Sequence, residues 1–192
     1  MMGKLKVRNL SRTELSIINN FLIKNWNITL RNLLVEQLHS KNVYAYIYEG
    51  YFNEIYAINE DAKKIIDEIL EKKKHPYALG FHVGRIRKNK FIPSLELGYA
   101  AVAKTNVYVI VNDKGEKNFL YGKDIFTESV IDIGTTIREK QIVLVLNSGH
   151  EYTGIGRALG AITKRRDQIL APRRKVIIKN IIDLGWYLRR GG

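Results

Sequence analysis

After Lys104 the chain changes into a series of short β-rich runs: Val107–Val111, Gln141–Leu146, Tyr152–Ala158 and Lys175–Ile178. Asp113-Lys114-Gly115, Ser148-Gly149 and Ala171-Pro172 punctuate them. Runs this short bury enough apolar surface only when their sheet closes on itself or packs on a second sheet. A small barrel or sandwich is therefore predicted. One short helix is expected at Lys123–Phe126 and a last one near Ile181–Arg190. The texture upstream differs, so a domain boundary is placed near Lys104–Thr105, giving domains 1–104 and 105–192 of an α+β chain. No Pro-, Gly- or Ser-rich linker marks that boundary, and the two halves are expected to pack together.

The first half mixes helices with hairpins. Ser11-Arg12-Thr13-Glu14 has the spacing of a capping box, in which hydroxyl and carboxylate each satisfy the other residue's backbone N–H. Leu15, Ile18 and Leu22 follow at helical spacing, which predicts a helix over about residues 12–24. Asn27–His39 suits a helix through Leu30, Leu33, Leu34 and Leu38, or a strand recruited by its neighbours. Asn42–Tyr48 and Glu54–Ile58 are rich in Tyr, Val and Ile and flank Glu49-Gly50, so they read as a hairpin. Asn59 is expected to cap a helix over Glu60–Lys72, with Asp61 and Lys72–Lys74 complementing the two ends of its dipole. Tyr77–Arg87 and Lys90–Ile92 read as a strand pair around Lys88-Asn89. Leu95–Ala103 reads as a short, buried apolar helix.

Charge narrows the function. The 192 residues carry 32 Lys plus Arg against 19 Asp plus Glu, a net charge of +13. The balance is +7 over residues 1–104, −2 over 105–156 and +8 over 157–192. An even spread would serve solubility alone; a cluster on a folded scaffold marks a polyanion site, most often nucleic acid. The absence of cysteine excludes disulfides, thiolate metal sites and a cysteine nucleophile. The four histidines, His39, His75, His82 and His150, form no HxxxH pair. No uncharged run approaches the roughly 18 residues of a membrane span, and no signal segment follows the basic N-terminus. A cytoplasmic globular protein with no membrane contact, metal or cofactor is expected.

Several segments carry a family resemblance. Asn118-Phe119-Leu120-Tyr121-Gly122-Lys123-Asp124-Ile125-Phe126 resembles the opening strand–loop–helix of a PUA domain, a small pseudo-barrel found on RNA-modifying enzymes and ribosome-assembly factors. Thr153-Gly154-Ile155-Gly156-Arg157-Ala158 is similar to that domain's glycine-rich middle strand. Asp183-Leu184-Gly185-Trp186-Tyr187-Leu188-Arg189-Arg190 resembles the ending of the NIP-seven ribosome-biogenesis factors. Those factors pair a pre-PUA α/β domain with a C-terminal PUA domain. Upstream, Tyr77-Ala78-Leu79-Gly80, Gly84-Arg85 and Lys90-Phe91 look like the second half of the pre-PUA domain. The resemblance covers roughly residues 43–192 and implies an N-terminal pre-PUA α/β domain packed on a PUA barrel. It also implies a role in large-subunit assembly and rRNA processing, in the cytoplasm, or in the nucleus or nucleolus of a eukaryote.

In that family RNA binding is associated with basic residues on the later strands and loops of the PUA domain. Here those positions fall on Arg157, Lys164, Arg165, Arg166, Arg173, Arg174 and Lys175. Arginine suits phosphate because its planar fork donates two parallel charge-assisted hydrogen bonds. The two basic triplets would meet on one face if a hairpin joins them, while the bland alternative is a solvated loop. Gly122 and Lys123, with Arg85, Arg87, Lys88 and Lys90, are candidates for a secondary contact to RNA or to a partner protein. Gly122, lacking Cβ, permits a tight loop and close approach of a ligand. Phe119, Tyr121 and Tyr152 are conceivable stacking platforms, but core packing is the favoured reading. Trp186 reads as a packing anchor beside the fringe charges Arg189 and Arg190.

An enzyme is the rival class, because PUA domains are appended to RNA-modifying enzymes. Gly154-x-Gly156-x-x-x-Gly160 has the wrong spacing for a dinucleotide loop, and GxxxxGK[ST] does not occur. Asp61, Asp67, Glu68 and Glu71 read as a solvated helix face, His150 as a turn residue, and Glu96 as a carboxylate without an evident partner. The expectation is therefore a non-catalytic RNA-binding factor with ribosome-assembly or RNA-processing proteins as partners. The alternative is a protein adaptor of an RNA-processing or RNA-degrading machine.

Overall fold

The computed structural model describes residues 6–49, 53–72, 74, 79–163, 175–186 and 189. The chain divides into two units, Met1–Ile23 with Ile28–Ala100, and Lys24–Asn27 with Ala101–Gly192.

The first unit is built on a five-stranded antiparallel sheet. Its strands, in spatial order, are β1 (Lys6–Asn9), β2 (Val43–Glu49), β3 (Asn53–Asn59), β4 (Phe81–Arg87) and β5 (Lys90–Pro93). Helix α1 (Arg12–Trp26) begins at the expected capping box. Ser11 N–H donates to Glu14 Oε2 at 2.8 Å, and Glu14 N–H donates to Ser11 Oγ at 3.2 Å. The ambiguous stretch resolves as helix α2 (Leu30–Gln37). Thr29 Oγ1 accepts the Asn32 N–H and Asn19 Oδ1 accepts the Leu30 N–H, while Leu30, Leu33 and Leu34 are buried. Asn59 caps α3 (Glu60–Glu71), as its short polar side chain predicts. Tyr46, Ile58, Ile66 and Leu79 form a core cluster against this helix. Between β4 and β5, Lys88 and Asn89 both take positive φ, 48° and 57°, the geometry of a two-residue hairpin turn. Helix α4 (Leu95–Ala101) ends in a single tighter turn, Val102–Lys104. It is not wholly buried: Leu95, Leu97 and Ala101 are, but Tyr99 is 67% exposed.

The second unit holds β6 (Tyr108–Val111), α5 (Asp113–Leu120), β7 (Ile125–Phe126), β8 (Val130–Ile133), β9 (Ile142–Leu146), β10 (Tyr152–Ala158) and β11 (Val176–Asp183). The sheet order is β7-β11-β10-β9-β6-β8, with β6 and β9 parallel and the other pairs antiparallel. Wrapped this way it forms the expected nearly closed pseudo-barrel, and all five residues of β9 are buried. Lys24–Asn27 contributes Trp26, which is fully buried and donates its indole N–H to the Ile142 carbonyl at 3.1 Å. Asn25 Oδ1 accepts the Ile142 N–H at 2.9 Å. Neither residue stands out in the sequence as part of a barrel.

Four local expectations are corrected. Asp113-Lys114-Gly115 is not a turn but the first turn of α5, because Asn112 Oδ1 caps it by accepting the Gly115 N–H. Phe119-Leu120-Tyr121-Gly122 is accordingly a helix end rather than a strand. The helix expected at Lys123–Phe126 is instead strand β7, since Ile125 and Phe126 pair with Ile178 and Val176. The last helix starts later than Ile181: β11 runs on to Asp183, held by pairing of Gly154 with Asp183 and Ile155 with Ile182. Gly154 itself has φ 154°, and a Cβ there would collide with the Ile182 carbonyl. Its partner Gly156 would collide with the Ile178 side chain. The GxG pair thus lets two strands close on each other. No helix among the described residues is long and apolar enough to cross a membrane.

Candidate nucleic-acid interface

Strand β10 buries six of its seven residues and exposes one, Arg157. In the antiparallel register Arg157 stands directly opposite Lys179 of β11, which is also exposed. Lys175 is exposed at the entry to β11, its carbonyl accepting both the N–H and the hydroxyl of Thr127. Beside the two opposed cations lies Leu159, 46% exposed, whose N–H donates to the Ile177 carbonyl at 2.9 Å. Among the described residues Arg157, Lys175 and Lys179 have no acidic partner. Like charges directly across a ladder destabilise it, and a polyanion laid along the pair reverses that sign.

The connection between β10 and β11 is tied down at both ends. Ile162 exchanges two hydrogen bonds with Ile137, at 2.8 and 2.9 Å, and Lys175 is held by Thr127. The chain between carries Lys164, Arg165, Arg166, Arg173 and Arg174, all of which lie outside the described residues. Lys179 was missed by sequence reasoning because the strand was ended at Ile178. Its signal was a lone cation inside the apolar run Val176–Ile182.

Gly122 sits in a helix cap. Its N–H donates to the Phe119 carbonyl at 2.8 Å, Lys123 N–H donates to the Asn118 carbonyl at 3.0 Å, and its φ is 81°. This is the Schellman arrangement, which needs a left-handed residue. Space beside Gly122 is filled by the Arg189 guanidinium, which donates to the Leu120 carbonyl and grips buried Asp183 by two bonds of 2.9 Å. Asn180 completes the clasp, donating to the Phe119 carbonyl at 2.9 Å and to Asp183 at 3.0 Å. Lys123 is exposed. Phe119 and Tyr152 are core residues as expected, whereas Tyr121 is 63% exposed.

The remaining candidates belong to the first unit. Arg87 pairs across the β4–β5 hairpin with Lys90, and Lys88 occupies its turn. Arg85 lies 3.9 Å from Glu54. Glu96 does have a partner, contrary to the sequence reading: His82 Nδ1 is 3.6 Å away, and His82 Nε2 is 2.8 Å from Glu54. Burial works against the charged imidazole, but hydrogen bonds to Glu54 and Glu96 outweigh it and push its pKa up to about 9. The same hydrogen bond holds Glu96 below its ordinary value. A histidine locked as a cation between two carboxylates is a structural pin, far from the neutral poise of a general base. No group of His, Asp or Glu suited to a metal ion occurs among the described residues.

The family described as "UPF0113 PUA domain" matches residues 107–192. A "UPF0113 protein" of Archaeoglobus fulgidus is 32% identical over 141 residues, covering 73% of this chain and 75% of that protein. A second, from Aeropyrum pernix, is 34% identical over 119 residues, covering 60% and 59%. Among solved structures, a PUA domain from Aeropyrum pernix K1 is similar with a TM-score of 0.66 at 14% identity, covering 96% of this chain and 89% of that one. A hypothetical protein of Pyrococcus horikoshii OT3 reaches 0.61 at 15% identity, covering 93% and 94%. These two likenesses concern the fold. The PUA fold is an RNA-binding fold. The barrel, the family match and the identity across three quarters of the Archaeoglobus relative together establish that the chain belongs to the UPF0113 family.

Proposed function

We propose that this protein is a non-catalytic RNA-binding factor that grips single-stranded or looped RNA through the basic β10–β11 face of its second unit. The observation that carries the reading is the exposed pair Arg157 and Lys179, opposed across the ladder with Lys175 beside them and, among the described residues, no acid to neutralise them. Lys164, Arg165, Arg166, Arg173 and Arg174 extend the same chain segment with five further cations. Arginine forks and lysine charges would track one phosphate backbone, with Leu159 and Tyr121 offering apolar or aromatic surface to unstacked bases. Lys123 and the Arg85–Lys90 hairpin would serve as secondary contacts to RNA or a partner protein. Residues 1–104 would act as the pre-PUA module and 105–192 as the PUA module.

The resemblance to the NIP-seven factors supports placing this activity in large-subunit assembly and rRNA processing, in the cytoplasm, among ribosome-assembly proteins. No reaction is assigned to the chain: His82 is held between Glu54 and Glu96, which raise its pKa to about 9. The test is binding of a labelled single-stranded RNA to three proteins: the parent, Lys164/Arg165/Arg166→Ala, and Arg157/Lys179→Ala. Loss of about tenfold or more in each variant is expected, from charge-assisted bonds worth about 1.5–3 kcal/mol each. Parental affinity in both variants would remove the site.

A further inference from the structure

We propose that the first unit holds a separate binding site for a 5′-phosphorylated nucleoside. The site is a cavity of about 670 Å³, lined by the ends of β1 and β2 and by α1 and α2. That volume lies within the range of sites that enclose small ligands. Three features of its lining identify the ligand class.

The first is charge. Arg31 and Lys41 line the cavity, both exposed, and none of the described lining residues is acidic. Among the described residues neither cation makes an ion pair or a side-chain hydrogen bond. The second is an apolar floor. Leu15, 41% exposed, and half-buried Leu10 form its surface, over the buried Leu30 and Leu34. The third is a set of unspent amides. Asn9 has no side-chain partner among the described residues, and Asn42 uses its Nδ2 on Glu60, leaving Oδ1.

Simpler ligands leave part of this lining unused. An inorganic anion would satisfy Arg31 and Lys41 but leave the leucine floor wet. An acyl chain would cover the floor but bury the asparagine amides without partners, which costs free energy. A planar base resting on the leucines, edge toward the amides and phosphate toward Arg31 and Lys41, meets all three. The same chemistry is offered by a free nucleotide and by the 5′-terminal nucleotide of an RNA chain. Because every described lining residue lies in the first unit, the proposal does not depend on the β10–β11 reading.

The experiment is amide NMR of the full chain titrated with 5′-AMP, adenosine and inorganic phosphate. It is then repeated with a short RNA carrying a 5′-phosphate and the same RNA with a 5′-hydroxyl. Saturable shifts at residues 29–31 and 42–44 are expected with 5′-AMP, at least tenfold weaker with adenosine or phosphate. They should vanish in Arg31→Glu/Lys41→Glu and persist in Arg157→Glu/Lys179→Glu. Arg31 and Lys41 are exposed, so the variant should stay folded, with its β-sheet amides unshifted. Equal shifts with 5′-phosphorylated RNA, tighter than with AMP, identify an RNA end as the source. Shifts with AMP but not with that RNA identify a free nucleotide. The proposal is overturned by no saturable shift at these residues up to about 10 mM AMP, a concentration beyond weak specific binding. It is equally overturned if adenosine or phosphate matches AMP, or if Arg31→Glu/Lys41→Glu binds as the parent does.

Discussion

Single residues in this protein hold positions that substitution will expose. Gly154 combines a φ of 154° with a carbonyl where its Cβ would stand, so Gly154→Ala should lower unfolding stability by about 2–4 kcal/mol in chemical denaturation. A loss under about 0.5 kcal/mol would mean that β10 and β11 do not close as described. His82 makes a prediction about pH. Its pKa rises from 6.5 unfolded to about 9 folded, so its stabilisation is complete below pH 6.5 and is lost as pH climbs through 9. Discounted for its partial exposure, that amounts to about 1–2 kcal/mol. Thermal unfolding followed from pH 6.5 to 9 should show this decline in the parent and a flatter profile in His82→Gln. A parent profile as flat as the variant's would show that the imidazole is not charged in the fold.

At the level of elements, the cross-strand pair of cations separates function from stability. Lys179→Glu places opposite charges across the ladder at Arg157, which should raise stability by about 0.2–1 kcal/mol while weakening RNA binding. If the substitution lowers stability and leaves RNA affinity untouched, the pair is a structural feature and not a phosphate site. Capping is the complementary case, for Ser11→Ala should cost about 1 kcal/mol with no effect on RNA. Elements with local signals were legible in the sequence: the α1 capping box, the Asn59 cap and the β2–β3 hairpin all rest on residues a few positions apart. Those set by distant partners were not. Ile125-Phe126 is a strand only because Ile178 and Val176 pair with it, and β11 extends to Asp183 only because β10 runs alongside. β1 and β8 were not legible because Lys6–Asn9 holds a single apolar residue, Val7, and Val130–Ile133 is interrupted by Asp132.

For the molecule as a whole, the net charge of +13 was visible at once, and its concentration after residue 156 already pointed to a polyanion. The sequence showed Arg157 and Lys175 as part of that cluster. It did not show that Arg157 faces Lys179, because register is a property of two strands and not of one. The Tyr121-Gly122 segment was legible as a family signature, yet its physical job, capping α5 under the Arg189–Asp183 clasp, needed the fold. Phosphate recognition by the second unit is measured most directly by its salt dependence. Binding of single-stranded RNA should weaken with a log–log slope of about −0.7 per phosphate contacted, so four contacts give about −3. Removing two cations in Arg157/Lys179→Ala should reduce that slope to about −1.4. An unchanged slope in the variant, or a parental slope near zero, would contradict the assignment.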